Sequence, residues 1–179
     1  AGYTHLISSS GGNAGYSAAY SGRVLGVKVT VVVPESTPEQ ARERIRGEGA
    51  ELVIHGKAWD DANEYALKLV EETGGAYIHP FDDPLVWEGH ESIIAECVEQ
   101  CPIKPDVVIV AVGGAGLLSG MVGGLHHYGW EDVPVISVET KGAESFAKSI
   151  ESGEHITLPA ITSIAHTLGA KKVAAKAIE

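Results

Sequence analysis

Two continuous apolar runs constrain the fold of this 179-residue chain more than any other feature. Lys28–Val33 is β-branched after its first residue, and Asp106–Val112 is apolar after its first residue. Runs of this kind are typical of strands that are covered on both faces, as in a parallel sheet. Four other strands are also predicted, at His5–Ser8, Ala50–His55, Ala76–His79 and Val133–Glu139.

Helical segments separate these strands. They are predicted at about Ala14–Leu25, from Pro38 to about Arg46, at Trp59–Glu72, from after Pro84 to about Gln100, from after Gly116 through His127 and near Ala143–Ser152, with a helical tail from Lys171. Thr37 is expected to cap the second helix, with Pro38 at its first position. The alternation of strands and helices predicts an α/β protein with open, mostly parallel, doubly wound sheets. The turn at Pro80–Pro84 predicts a boundary between two domains, 1–80 and 81–179.

Charge and composition narrow the classes of partner. A formal net charge of -11 argues against non-specific binding to nucleic acid or to an anionic membrane, because both need a basic face. No apolar run approaches the roughly 20 residues of a membrane span. Cys97 and Cys101 lie one helical turn apart without further ligands for a zinc site, so we expect reduced thiols in a cytoplasmic protein.

Two junctions between a strand and a helix carry the candidate chemistry. In parallel sheets, ligands bind beyond the carboxyl ends of the strands, where free amides at the start of a helix attract anions. Val112–Gly116 is rich in glycine, which lets a backbone approach a phosphate closely. The same junction is compatible with a nicotinamide-dinucleotide site, with Glu139 binding a ribose, although Ser119 replaces the third glycine of that pattern. A packing turn without a ligand is the simpler alternative.

The other junction, Ser9–Gly15, contains more polar groups than helix capping requires, since one Ser or Asn is enough for a cap. Several amides and hydroxyls that converge on one point suit a carboxylate, and the Asn13 amide could donate to a phenolic oxygen. The sequence therefore offers one phosphate site and one carboxylate site, on different halves of the chain. A role restricted to capping remains the alternative for this loop.

These motifs resemble those of a known family. Ser9–Gly15 resembles the asparagine loop of fold-type II pyridoxal-phosphate enzymes, and Val112–Leu118 resembles their tetraglycine phosphate loop. Pro80–Pro84, followed by Trp87–His90, resembles the animal L-serine dehydratase/L-threonine deaminase branch, and the likeness covers essentially the whole chain. The resemblance implies two sheets like those of the tryptophan synthase β subunit, which we expect to be incomplete at both ends.

The resemblance also implies a role for individual residues. The substrate carboxylate would be held by Ser10, Gly11, Gly12, Asn13 and Ala14. Pyridoxal 5'-phosphate would contact Asn13, Phe81, Gly113, Gly114, Ala115, Gly116 and Leu117. A monovalent cation would be bound by Gly113, Glu139, Ala143 and Leu168. The implied reaction is dehydration and deamination of L-serine or L-threonine, small amino acids, to pyruvate or 2-oxobutyrate and ammonia, by a homodimer of the full-length protein.

The chain departs from the family pattern at several points. Ala115 stands where the family has glycine, so its methyl group either fits or crowds the phosphate loop. Gly11 replaces an alanine or serine that influences activity. The Ser-x-Lys motif of the family precedes the asparagine loop, and we expect it to precede residue 1. None of the nine lysines has a matching context, so the chain as shown lacks the Schiff-base lysine and is expected to be inactive alone.

Two other classes of function stay open from the sequence. One is a truncated, non-catalytic product that keeps part of the cleft and binds anions or a partner chain. The other is the nicotinamide-dinucleotide domain, which leaves the loop before Asn13 unexplained. The sequence does not distinguish a preference for serine from one for threonine.

Overall fold

The computed structural model describes residues 2–165 and 167–179. They form two compact units, Ala1–Pro80 and Phe81–Glu179. Within the described ranges, no helix combines the length and the apolar character that crossing a membrane requires. Each unit consists of a parallel sheet with helices, so the predicted α/β class is confirmed.

The first unit contains one four-stranded sheet in the order β3-β2-β1-β4, and every neighbouring pair of strands is parallel. Leu6 in the central strand lies beside Val29 on one side and Ala76 on the other. The elements in chain order are β1 His5–Ser8, α1 Asn13–Leu25, β2 Lys28–Val33, α2 Glu39–Gly47, β3 Glu51–Ile54, α3 Trp59–Thr73 and β4 Ala76–Ile78.

Both faces of this sheet are covered by helices. Alternate residues of β2 point to opposite faces because side chains alternate along a strand. Val29, Val31 and Val33 pack with α1 and α2, whereas Val32 and Ile7 pack with α3. The near-continuous apolar sequence of β2 is therefore explained by burial on two sides.

The order of the strands reverses at β1. The chain passes from β1 through α1 to β2, and later returns through α3 to place β4 on the opposite side of β1. In open parallel sheets, such a reversal opens a crevice at the carboxyl ends of the strands, and ligands bind there. The segment between Ser8 and Asn13 lies at this point of the fold.

The second unit contains two parallel strands, β5 and β6, with Ile109 beside Ile136. Its core joins α4, α5 and the sheet through Ile94, Val110 and Leu125. The elements are α4 Pro84–Gln100, β5 Val108–Ala111, α5 Gly116–His127, β6 Val135–Val138, α6 Ser145–Ser152 and a 3-10 turn at Ala175–Ala177.

Glycines in α5 allow α4 to approach closely. A Cβ atom on Gly120 would lie 2.5 Å from the carbonyl oxygen of Trp87, and one on Gly124 would lie 2.9 Å from Ile94. Such distances are shorter than real Cβ contacts, so larger residues would separate the two helices. The glycine spacing in α5 is thus required by helix packing.

Two local predictions are wrong. Thr37 does not cap α2: Pro38 is the N-cap residue, the helix begins at Glu39, and Thr37 is buried. The tail from Lys171 is not a helix beyond Ala175–Ala177. Its backbone bonds elsewhere in the unit, since the Ala174 amide donates to Gly114 and the Lys171 carbonyl accepts from Leu158. Tertiary hydrogen bonds and the burial of Ala174 outweigh the helical propensity of the tail.

Ile7 gives a direct test of the central strand. It is completely buried, so Ile7→Ala is expected to lower the free energy of unfolding by about 2–5 kcal/mol through lost burial and a residual cavity. Leu25 is 71% exposed, so Leu25→Ala is expected to change it by less than about 0.5 kcal/mol. Urea denaturation measures both, and equal effects would contradict the assigned core.

Candidate functional site

The predicted carboxylate site forms one continuous segment between β1 and α1. Ser10, Gly11 and Gly12 precede α1, and Asn13 and Ala14 are its first two residues. No side chain among the described residues caps this helix, and its first turn contains no Asp or Glu. Because the first amides of a helix lack partners within the helix, this end can bind an anion. The interpretation of the loop as a helix cap alone is therefore wrong.

Within the loop, the Gly12 amide donates to the Ser10 hydroxyl, with 3.2 Å between nitrogen and oxygen. A Cβ atom on Gly15 would overlap the carbonyl oxygen of Ser10. The first turn of α1 therefore packs directly against the loop backbone. A side chain at position 15 would push the loop away from the helix.

Gly11 is explained by its neighbour. A Cβ atom on Gly11 would lie 2.6 Å from Oγ1 of Thr37 and 2.8 Å from its Cγ2. The buried Thr37 side chain thus fills the space that a residue larger than glycine would need. The departure from alanine or serine at position 11 is matched by Thr37, which comes from the segment between β2 and α2.

A cluster of three polar side chains lies at the start of the loop. The hydroxyl oxygen of buried Ser9 is 3.0 Å from Oδ1 of Asn63 and 2.8 Å from the hydroxyl oxygen of Tyr77. The Tyr77 hydroxyl also donates to Asn63. Burial raises the pKa of Tyr77 above its ordinary value, while its hydrogen bond with Ser9 lowers it.

Asn63 and Tyr77 were not among the residues predicted for the site. A signal was present for Tyr77, which lies on a strand near its carboxyl end, where ligands of parallel sheets collect. Asn63 lies within α3 and carries no such signal. Its place beside Ser9 depends on the strand order, which the sequence alone does not give.

The second predicted anion site is the junction between β5 and α5. A Cβ atom on Gly114 would overlap the ring of Phe81, and one on Gly116 would lie 2.5 Å from the Phe81 carbonyl oxygen. No side-chain cap occurs at the start of α5 among the described residues, and its first turn has no acidic residue. The close backbone and the free helix end suit a phosphate.

Ala115 has a positive φ of 68°, which is the left-handed region that glycine adopts without cost. Its side chain is buried in the core of the second unit together with Val112 and Leu118. The methyl group therefore fits. A glycine at this position would therefore relieve the left-handed backbone and would not be needed to make room for neighbouring atoms.

Two hydrogen bonds fix the segment that contains Phe81 and leads into α4. The Trp87 indole nitrogen donates to the Phe81 carbonyl oxygen at 2.6 Å. Asp83 caps α4 by accepting from the Leu85 amide at 2.8 Å, so this carboxylate has a structural role. No role of its own was assigned to Trp87 from the sequence, and its bond to Phe81 is known only from the structure.

The predicted cation ligands all lie in the second unit. Gly113 is so close to Leu168 that a Cβ atom would overlap the Leu168 carbonyl oxygen, and a Cβ atom on Gly169 would lie 2.7 Å from that of Ala143. The two Glu139 carboxylate oxygens accept from the Phe146 amide at 2.9 Å and the Ala147 amide at 2.8 Å. Glu139 therefore fixes the start of α6.

This position of Glu139 bears on the dinucleotide alternative. A ribose-binding acid needs carboxylate oxygens that face the nucleotide. Here both oxygens bind backbone amides of α6. Each of these oxygens keeps a second lone pair, so the two bonds to α6 are compatible with either a ribose or a cation as a further partner of Glu139.

Comparison of the sequence with known proteins identifies its family. A family model described as pyridoxal-phosphate dependent enzyme matches residues 1–179. A Mus musculus protein named serine dehydratase-like is 50% identical over 178 residues, which cover 99% of this chain and 54% of that protein. A Bos taurus L-serine dehydratase/L-threonine deaminase is 49% identical over 179 residues, with coverage of 99% and 55%.

A solved structure is also similar. The crystal structure of a fungal L-serine ammonia-lyase from Rhizomucor miehei has a TM-score of 0.89 and 37% identity to this chain. The match covers 98% of this chain and 56% of the fungal chain. The chain thus spans about half the length of the relatives it matches.

Ala115 yields a test of the phosphate loop. Ala115→Gly removes about 1–2 kcal/mol of left-handed strain, which stabilises the folded protein. Two effects oppose this gain: the loss of a buried methyl group costs about 0.8 kcal/mol, and the greater entropy of the unfolded chain costs about 0.4–1 kcal/mol. The free energy of unfolding is therefore expected to stay within about 1 kcal/mol of the original.

Ala115→Val is the contrasting variant. A β-branched residue strongly disfavours a positive φ, and the extra methyl groups overpack a filled core at about 1–3 kcal/mol. We expect marked destabilisation in thermal and urea unfolding. A fully stable valine variant would show that position 115 is neither left-handed nor buried.

Proposed function

Because the chain belongs to the pyridoxal-phosphate-dependent enzyme family, we propose that it forms the substrate-carboxylate and cofactor-phosphate parts of an L-serine/L-threonine dehydratase. The observation that carries the proposal is a shared feature of both predicted loops. Each loop leads into a helix whose start has no side-chain cap among the described residues and no acidic residue in its first turn. Two anion sites of this kind match an amino acid and a phosphorylated cofactor.

In the first unit, the proposed substrate site is the segment from Ser10 to Ala14. Its amides and the positive end of α1 would bind the substrate carboxylate and orient the amino acid. The Asn13 side chain is exposed at the helix start and would donate to the phenolic oxygen of the cofactor. We propose that the unit Ala1–Pro80 is the substrate-carboxylate domain on this basis.

In the second unit, the glycine loop fits a phosphate group because its backbone lies close to neighbours at Gly113, Gly114 and Gly116. Amides from Gly113 to Leu117 would bind the phosphate, and Phe81 would lie beside the ring. When bound, pyridoxal 5'-phosphate supplies an electron sink for removal of the α-proton and loss of the β-hydroxyl group. We propose that Phe81–Glu179 forms the cofactor-phosphate part of its domain.

The proposed cation would use main-chain oxygens together with a carboxylate, a ligand set that suits a hard cation. Gly113, Ala143 and Leu168 would provide the carbonyl oxygens. Glu139 already holds the start of α6, so its carboxylate would link this helix to the cation. Removal of the cation would thereby loosen α6 as well as the phosphate loop.

The names of the similar proteins support the proposed class of reaction. The bovine relative is named for action on L-serine and L-threonine, and we propose the same substrates here, with pyruvate or 2-oxobutyrate and ammonia as products. A homodimer of the full-length protein remains a prediction from the resemblance.

A specific observation favours a second, narrower role for the 179 residues taken alone. None of the nine lysine residues stands in a context that matches the Ser-x-Lys motif of the family, and a Schiff-base lysine needs a site that activates it. We therefore propose that the lysine of the active protein lies outside these residues. The chain by itself would then bind anions without catalysis.

The test uses the full-length protein that contains this sequence, supplied with pyridoxal 5'-phosphate and L-serine. Production of 2-oxo acid is expected. Asn13→Asp keeps the side-chain size and places a negative charge beside the substrate carboxylate, while an acid in the first turn favours the helix. The Michaelis constant for L-serine is expected to rise about 10- to 100-fold, the equivalent of one charge-assisted hydrogen bond.

Ser21→Asp is the matched control, because it adds the same charge to an exposed position two turns further along α1. It is expected to leave the Michaelis constant within about twofold, since an exposed charge at that distance is largely screened. A wild-type protein that forms no 2-oxo acid would contradict the proposed reaction. Equal effects of the two substitutions would contradict the proposed substrate site.

A further inference from the structure

We propose that Asn63 and Tyr77 are positioning residues that hold Ser9 and, through it, the carboxylate-binding loop in its binding geometry. This inference rests on the proposed function of the loop. Neither residue belongs to the predicted site, and both come from elements other than those that form the loop. They act through Ser9 and need no contact with the substrate.

Ser9 is the natural anchor point of the loop. It follows the last residue of β1 directly and is completely buried. Among the described residues, the neighbouring Ser8 hydroxyl is buried without a hydrogen-bond partner. The side-chain connection from this end of the loop to other elements therefore runs through the hydroxyl of Ser9.

The loop beyond Ser9 depends on that anchor because its own sequence is permissive. Gly11 and Gly12 allow many backbone conformations. The Ser10 hydroxyl accepts from Gly12 within the loop, so it ties the loop to itself. At the far end, Gly15 packs against the Ser10 carbonyl. Movement of Ser9 would thus shift the amides that face the substrate.

The partners of Ser9 are held in place by the fold. Asn63 lies between Ala62 and Ala66 in α3, and both alanines are completely buried against the sheet. Tyr77 lies in β4, which pairs with β1 in the register Ile7 to Tyr77. The cluster therefore connects the loop to the helix and the strand that define the reversal of strand order.

The cluster contains three contacts and two hydroxyl protons. Ser9 and Tyr77 both donate to Oδ1 of Asn63, and their own oxygens lie 2.8 Å apart. An acceptor at position 63 is therefore essential, because without it both protons compete for the single contact between the hydroxyls. This requirement distinguishes a hydrogen-bonding role of Asn63 from a simple space-filling role.

The first experiment compares Tyr77→Phe with Tyr65→Phe in the full-length protein. Tyr65 is the matched control: it is also half-buried, and it lies in the same unit, stacked on His55 at 4.3 Å rather than in the cluster. Hydrogen–deuterium exchange without substrate measures the amides of residues 10–15. We expect exchange about tenfold faster in Tyr77→Phe and unchanged in Tyr65→Phe.

Steady-state kinetics and cofactor absorbance give independent readouts. Tyr77→Phe is expected to raise the Michaelis constant for L-serine about tenfold, because a displaced loop binds the carboxylate less well. The turnover number is expected to change less than threefold. The amount of bound cofactor, read from the intensity of its absorbance, is expected to stay unchanged, because the phosphate loop belongs to the other unit. The wavelength of the absorbance is expected to shift, because Asn13 in the displaced loop is the proposed donor to the phenolic oxygen.

Two substitutions at position 63 separate hydrogen bonding from packing. Asn63→Asp keeps an acceptor for both hydroxyls and is expected to preserve loop exchange and the Michaelis constant. Asn63→Leu keeps a similar volume without the acceptor and is expected to behave like Tyr77→Phe. Equivalent behaviour of the aspartate and leucine variants would overturn the proposed role.

The inference would also be overturned by unchanged loop exchange in Tyr77→Phe, or by faster exchange spread evenly over the first unit. A wild-type protein without dehydratase activity would refute the proposed function instead, and the exchange measurements would still decide whether Tyr77 holds the loop.

Discussion

Parallel pairing of β1 with β2 on one side and β4 on the other determines where the first unit can bind a ligand. The pairing places the end of β1 at the reversal of strand order, with α1 and α3 on opposite faces. A loop at that point has the start of one helix and the side chains of the neighbouring strand within reach. The polar sequence after Ser8 acquires its function from this position.

The proposed anion site of the second unit is formed by a different arrangement. There the close packing of backbone on Phe81 creates the cradle, and glycines are required at Gly114 and Gly116 because side chains would collide with it. Trp87 holds the Phe81 carbonyl and Asp83 caps the following helix. The turn that the sequence marks as a boundary thus also shapes the proposed phosphate loop.

Sequence patterns predicted the elements well where burial alone decides the structure. Lys28–Val33 was predicted with the observed bounds, because burial on both faces is matched by a β-branched residue at every position after Lys28. Asp106–Val112 was predicted too long, since β5 pairs with β6 over Val108–Ala111. Thr37 and the tail after Lys171 were predicted wrongly because their tertiary contacts outweigh local propensity.

In the candidate site, too, features that are local in the sequence were predicted and features that depend on the tertiary fold were not. The loops around Asn13 and Gly114 are visible in the sequence, since each is a local run of residues with unusual chemistry. Asn63 and Tyr77 are not, because their contact with Ser9 requires the order of the strands. The effect of Ala115 also needed the structure, which shows a buried methyl group on a left-handed backbone.

The central claim is that these residues bind a cofactor whose covalent partner lies elsewhere in the full-length protein. The most direct measurement is borohydride reduction of that protein with pyridoxal 5'-phosphate, followed by mass mapping of the modified peptides. A single stoichiometric adduct on a lysine outside these 179 residues is the predicted result. A stoichiometric adduct on any of the nine exposed lysines described here would contradict the account.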